Sequence, residues 1–276
     1  MRRGDDAVLV RNASGAGRNL IEEKKQIGPG GLKMANYVVL GAAGGIGAEL
    51  CRRIVAKGDQ VWLAGRTEAT LQALADSLGS RYSVLDASSF EQVQACLTNA
   101  ASHFGKLDGV ANCVGSLLLK PAHLTTEADW QAVLQTNLTS AFATVRAAVG
   151  VFQQQPGSIV LVSSAAAQIG LANHEAIAAA KAGVVGLMLA AAASYASRGI
   201  RINCVSPGMV HTQLTAKLLA SEIMKRASAG MHALGRVGEP GDVAAAIQWL
   251  LSPEQSWVTG QVLGIDGGLS RIRSRA

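Results

Sequence analysis

The stretch Tyr37-Val38-Val39-Leu40-Gly41-Ala42-Ala43-Gly44-Gly45-Ile46-Gly47-Ala48-Glu49-Leu50 decides how this chain folds. Its first four residues are apolar and two are β-branched, the pattern of a short strand buried on both faces. They run without a spacer into Gly41, Gly44, Gly45 and Gly47, after which Ile46, Leu50 and Ile54 recur every fourth residue and mark one stripe of a helix. A strand, a glycine turn and a helix in direct succession aim the unpaired N–H groups of a helix N-terminus at whatever lies beyond the strand. Glycines there let a ligand approach the backbone closely, and the positive end of the helix dipole suits a pyrophosphate. Gly15-Ala16-Gly17 has no strand before it and carries no such reading.

Working outward, the alternation of strand and helix continues. Strands are predicted at Tyr37 to Leu40, Val61 to Ala64, Tyr82 to Leu85, Gly109 to Asn112, Ser158 to Val162, Arg201 to Val205 and Val262 to Ile265. Between them, helical periodicity marks Leu71 to Leu78, Val93 to Ala100, Trp130 to Val151, Ala176 to Ala193 and Val243 to Leu251. The expectation is α/β: a single doubly wound Rossmann domain over residues 34–276, its seven-stranded parallel sheet flanked by helices. Ala182 to Ser197 is free of charge for 16 residues but is interrupted by Gly183, Gly186, Ser194 and Tyr195. A membrane span needs about 20 mostly apolar residues, so this reads as a buried helix, with no membrane involved.

Composition agrees. A chain of 276 residues with 49% hydrophobic and 16% charged side chains has enough apolar surface for a large core, which excludes global disorder. Cys51, Cys96, Cys113 and Cys204 form no CxxC pair and have no histidine at metal spacing, so free thiols, no metal site and a cytoplasmic location are expected. The net charge of +6 is not a nucleic-acid signal. Residues 1–33 hold seven basic side chains (Arg2, Arg3, Arg11, Arg18, Lys24, Lys25, Lys33) against four acids, and the basic residues of the rest are scattered. Those first 33 residues lack hydrophobic periodicity and the apolar core of a secretory signal, and read as a disordered leader or upstream extension, with Met34 a candidate start.

With Gly-x3-Gly-x-Gly after the first strand, the chain resembles the short-chain dehydrogenase/reductase family, and in particular its single-domain 3-ketoacyl-reductase-like branch. Further motifs arrive in the family's order. Asn112-Cys113-Val114-Gly115 looks like its Asn-Asn-Ala-Gly, with two replacements; Asn137 stands where the family keeps a helix asparagine; Ser163-Ser164 closes the fifth strand. Pro207-Gly208-Met209-Val210-His211-Thr212 matches Pro-Gly-x-Val-x-Thr, and Thr259-Gly260-Gln261 with Asp266-Gly267-Gly268 matches the last strand. The resemblance implies an NAD(P)H-dependent oxidoreductase acting on a small molecule, built as a homo-oligomer, usually a tetramer and otherwise a dimer.

It also implies the cofactor contacts. Gly41, Gly45, Ile46 and Gly47 would hold the pyrophosphate; Asn112 and Gly115 would lie beside the adenosine ribose; Asp86 would meet the adenine or else cap a helix. Pro207, Gly208, Val210 and Thr212 would hold the nicotinamide carboxamide, and Lys181 its ribose. Where NAD-preferring relatives carry an acid for the ribose 2′-hydroxyl, this chain has Gly65-Arg66, and a guanidinium suits a 2′-phosphate, so NADP (NADPH) is expected over NAD.

The catalytic segment departs from the pattern. The family places a Tyr 13 residues after the strand-five Ser and four before the Lys; here Ser164 is followed at that spacing by Ile177, with Lys181 in place. A phenol beside an ammonium can give up a proton near neutral pH, whereas an isoleucine has none to give. His174, seven before Lys181, shares its helix face and occupies the spacing used by enoyl-thioester-reducing relatives; its imidazole is a candidate donor. The candidate catalytic set is Asn137, Ser164, His174 and Lys181. Two readings follow: a reductase of a carbonyl or an activated C=C that works without the usual Tyr, or an inactive nucleotide-binding pseudo-enzyme serving as a sensor or oligomer subunit. Leu214, Leu218, Leu219, Ile223 and Met224 suggest an apolar lid and a hydrophobic or acyl-type substrate.

Overall fold

Every aliphatic run singled out above becomes a strand, and each but the last is followed by a helix before the next strand begins. The computed structural model describes residues 10–11 and 34–273. In chain order its elements are β1 (Val10–Arg11), β2 (Asn36–Leu40), α1 (Gly45–Ala56), β3 (Gln60–Gly65), α2 (Glu68–Leu78), β4 (Arg81–Val84), α3 (Phe90–Phe104) and β5 (Gly109–Asn112). There follow α4 (Glu127–Leu134), α5 (Ser140–Phe152), β6 (Gly157–Val162), α6 (Glu175–Tyr195), β7 (Ile200–Pro207), α7 (Ala216–Leu219), α8 (Glu222–Met231), α9 (Pro240–Leu251) and β8 (Val262–Ile265).

The strands lie in the order β1-β4-β3-β2-β5-β6-β7-β8, and β2 to β8 are parallel. Alternate residues of one strand feed two cores. Val38 and Leu40 join α3, α5 and α6 through Val93, Leu97, Val145 and Met188, while Tyr37 and Val39 face α1, α2 and α9 through Leu50, Leu71 and Ile247. The chain winds one way from β2 to β3 and the other way from β2 to β5. That reversal opens a crevice at the carboxyl ends of β2 and β5, where ligands of open α/β sheets sit.

Two details differ from expectation. Val10–Arg11 pairs antiparallel with β4, opposite Ser83 and Tyr82, so two residues of the expected leader lie on the sheet edge as an eighth strand. The remainder of that segment lies outside the described residues. The single helix expected from Trp130 to Val151 is interrupted by a π turn, Gln135–Thr139, between α4 and α5. Its cause is packing: the wider turn buries Asn137, a polar residue on what would otherwise be an apolar face. The long helix α6 is apolar enough to cross a membrane, its most apolar window having a mean hydropathy of 1.9. It nevertheless packs on β6 and β7 with Val184, Met188, Ala191 and Ala192 buried, as expected of a core helix.

Candidate active site

At the end of β2, Gly41 takes φ +74, and a Cβ there would come within 2.9 Å of the Val114 nitrogen. A Cβ on Gly47 would lie 2.2 Å from the Gly41 carbonyl oxygen, so the turn closes only with hydrogen at both positions. The Gly44 amide donates to the Gly41 carbonyl at 3.1 Å, and Gly44 caps α1 without a side-chain hydrogen bond; no acid occupies the helix's first turn. The amides and dipole of this N-terminus are therefore left for an anionic group. Thr212 lies across the turn: a Cβ on Gly45 would meet its Cγ2 at 2.8 Å. Thr215 holds that crossing in place, its hydroxyl donating to the Val210 carbonyl at 2.5 Å and accepting from the Thr212 amide at 3.0 Å.

Asn112, at the end of β5, is consumed structurally. Its Nδ2 donates to Thr144 Oγ1 at 3.0 Å and its Oδ1 accepts from the Val114 amide at 2.9 Å, which shapes the loop to Gly115. Any contact from it to a ribose must run through that loop's backbone. Asn137 is equally engaged. Its Oδ1 accepts from the Ser116 amide at 3.2 Å, while Nδ2 donates to Ser116 Oγ and to the Val133 carbonyl, both at 2.9 Å. A Cβ on Gly115 would sit 3.3 Å from Asn137 Oδ1 and 3.6 Å from Lys181 Nζ, so the bare glycine lets the asparagine and the lysine share one wall.

Lys181 is buried, and its Nζ donates to the Val162 carbonyl at 2.8 Å, while Ser163 Oγ donates to the Lys181 carbonyl at 2.9 Å and ties α6 to the end of β6. Burial costs the ammonium its hydration and lowers its pKa from 10.5 to about 8; the neighbouring Cys204 and Cys113 thiols oppose the shift. Burial also pushes the Cys113 thiol up to about 12, which makes it an inert apolar filler. Ser164 caps a short 3-10 turn, its Oγ accepting from the Ala166 amide at 3.2 Å. Half-buried His174 sits one position before α6. Its Nδ1 lies 2.7 Å from the Ala172 carbonyl, which can only accept, so Nδ1 carries a proton and Nε2 is the nitrogen left for chemistry. Ile177 is buried against Val133, Ala176 and Ala180.

These groups surround one cavity of about 640 Å³. Its lining includes Gly45, Ile46 and Gly47 from the glycine turn, Gly115, Ser164, His174, Ile177 and Lys181, and, after β7, Pro207, Gly208, Val210 and Thr212. Lys181 is the one formally charged side chain in this lining. Gly41, Asn112 and Asn137 support the cavity from behind. Arg66, exposed at the end of β3, and Asp86, exposed after β4, lie outside its lining. Asp86 is no helix cap: its Oδ1 accepts from the Ser88 amide at 2.9 Å, and Ser89 caps α3. Ser116, Thr215 and His232 also line the cavity and escaped the sequence reading, since a lone Ser, Thr or His in a loop carries no periodicity or spacing that marks it. Among the described residues no cluster of His, Cys, Asp and Glu could hold a metal.

Comparison with known proteins gives a consistent result. A family model described as enoyl-(acyl carrier protein) reductase matches residues 41–270. The 3β-hydroxysteroid dehydrogenase 1 of Eggerthella lenta is 36% identical over 247 residues, covering 87% of this chain and 95% of that protein. The 3-oxoacyl-[acyl-carrier-protein] reductase FabG of Vibrio cholerae is 32% identical over 242 residues, covering 85% and 97%. The structure of ElxO with NADP bound superposes with a TM-score of 0.80 at 26% identity, covering 86% of this chain and 98% of that one.

Proposed function

The chain belongs to the short-chain dehydrogenase/reductase family, and from that premise we propose that it is an NADPH-dependent oxidoreductase that reduces a carbonyl or an activated C=C in an uncharged, apolar substrate. The observation that carries the reading is the single cavity joining an uncapped glycine turn, at the N-terminus of α1, to buried Lys181 and to Ser164 and His174. The steric demands at Gly41, Gly45 and Gly47 fit a dinucleotide laid along this turn. Arg66 beside the ribose position, together with the NADP held by the similar ElxO, supports NADPH over NADH.

Bound there, the reduced nicotinamide supplies a hydride. The protein's own residues must orient the acceptor and deliver a proton. Ser164 Oγ orients the substrate oxygen. His174 Nε2, protonated in the imidazolium, donates the proton that the missing phenol would have given, its ring held by the Nδ1 bond to Ala172. Lys181 binds the cofactor ribose and adds positive charge to the middle of the cavity. Leu117, Leu119, Leu171, Leu214, Leu218 and Met224 form the substrate end, where a charged substrate would find no partner. Among the relatives, a protein named as a 3β-hydroxysteroid dehydrogenase and one named as a 3-oxoacyl-[acyl-carrier-protein] reductase support an apolar substrate of this kind. Four unpaired cysteines support a reducing, cytoplasmic setting.

The test is NADPH oxidation against ketones, quinones and enoyl thioesters. His174→Ala is expected to lose about 10² to 10⁴-fold in turnover while NADPH affinity hardly changes, the signature of a lost general acid. Full activity of that variant on a verified substrate would refute the assignment. One observation favours the second reading, an inactive nucleotide-binding subunit: Ile177 fills the phenol's place with a buried apolar side chain. In that case the wild-type protein binds NADPH but oxidises none of the panel, and Ile177→Tyr, beside Ser164 and Lys181, gains carbonyl reduction.

A further inference from the structure

His232, at the end of α8, is buried at 4% exposure, lines the cavity, and has no part in the chemistry above. Both ring nitrogens are engaged. Nδ1 lies 2.6 Å from the Ser228 carbonyl, an acceptor, so it carries the proton; Nε2 is then bare and accepts from the Met209 amide at 3.1 Å. One imidazole thus joins the lid helix α8 to the loop that leaves β7 along the proposed nicotinamide site. The fit is tight on a third side: a Cβ on Gly208 would come 2.5 Å from Nε2, and one on Gly267 would come 3.3 Å from His232 Cβ. Gly208 is therefore bare because the ring lies against it, and the loop after β8 closes over the ring from behind.

We propose that His232 is a positioning residue that fastens the α7–α8 lid to the Gly208–Met209 segment and so fixes the wall against which the nicotinamide end of the cofactor binds. The proposal rests on the oxidoreductase reading for its effect on cofactor, but the fastening itself concerns the protein alone. Without the imidazole acceptor the Met209 amide is left with an unmet donor, and α8 loses its polar tether, so the lid and the loop move independently.

Two substitutions divide the tether. His232→Asn keeps a donor close to the Nδ1 position, within reach of the Ser228 carbonyl, and has nothing at the Nε2 position. His232→Gln extends a carboxamide oxygen toward the Met209 amide. Hydrogen exchange on the protein without cofactor reads each link, and fluorescence titration with NADPH reads the consequence. In His232→Asn, exchange of the peptide containing Met209 is expected to rise about tenfold and NADPH affinity to fall by a similar factor, while α8 keeps its protection. In His232→Gln, Met209 stays protected and NADPH affinity stays within about threefold of wild type. Unchanged Met209 exchange in His232→Asn overturns the proposal, as does an equal loss in both variants that tracks their melting temperatures, which would make the ring mere filling. If the wild type binds no NADPH while the exchange pattern holds, the oxidoreductase reading fails and the fastening stands.

Discussion

Lys181 and Ile177 stand four residues apart on α6 and meet the same cavity, yet burial acts on them in opposite ways. Burying Ile177 stabilises the fold; burying an ammonium lowers its pKa to about 8, a penalty of about 3 kcal/mol on the charged form. The sign of the pH dependence follows. Below about pH 8 the free protein already carries the charge that an anionic dinucleotide favours; above it, binding must first take up a proton. NADPH affinity measured by titration is therefore expected to be level up to about pH 8 and to weaken above it, by up to tenfold per pH unit, while Lys181→Met binds weakly at every pH and shows no such break. At the nucleotide's other end, Arg66→Ala should weaken NADPH by about 1.5 to 3 kcal/mol and leave NADH nearly unchanged, because only NADPH has the 2′-phosphate. Equal affinities of the wild type for both cofactors in calorimetry would remove Arg66 from the site. Lys181, Ser164 and His174 were legible because they stand at fixed intervals along a strand end and a helix. Ser116 and His232 were not, since they reach the cavity only through the tertiary course of two loops.

Among the elements, the turn between β2 and α1 was read most directly, because Gly44 and Gly47 are forced by the Gly41 carbonyl a few residues away, although Gly41 and Gly45 answer to Val114 and Thr212, far along the chain. Gly47→Ala would set a methyl 2.2 Å from the Gly41 carbonyl oxygen, a backbone atom that cannot turn aside. The expected result is a melting temperature lowered by several degrees and loss of NADPH binding together, checked by thermal denaturation with and without cofactor. Seven parallel strands followed from aliphatic runs and their spacing, and the structure places all seven. The π turn at Gln135–Thr139 could not be foreseen in that way. Periodicity reports which face of a helix is apolar, whereas the extra residue in the turn serves a polar side chain, Asn137, whose distant partner Ser116 is fixed only once the loop after β5 is in place.

Across the whole molecule, many large apolar side chains remain exposed, and two groups of them lie on α5–α6 and beside β8. Phe142 on α5 is 47% exposed and Leu189 on α6 is 51% exposed, while Trp249 on α9 and Trp257, which is 99% exposed, flank β8, the outermost strand at that end of the sheet. Exposed aromatic and aliphatic groups of this size mark association surfaces, and an uncovered edge strand invites pairing. The Ala- and Gly-rich run of α6 has no bulky side chain between Ala190 and Ser194, so a second copy's backbone can approach closely there. One self-complementary face makes a dimer, and two make a tetramer. Sedimentation equilibrium is therefore expected to give two or four times the mass of the chain, at micromolar concentration. Phe142→Asp with Leu189→Asp should dissociate the α5–α6 contact, and Trp249→Glu with Trp257→Glu the contact beside β8. A tetramer that uses both faces falls to a dimer with either pair and to a monomer with all four substitutions, whereas a dimer responds to one pair alone. A wild-type protein that sediments as a monomer would assign these side chains to some other partner.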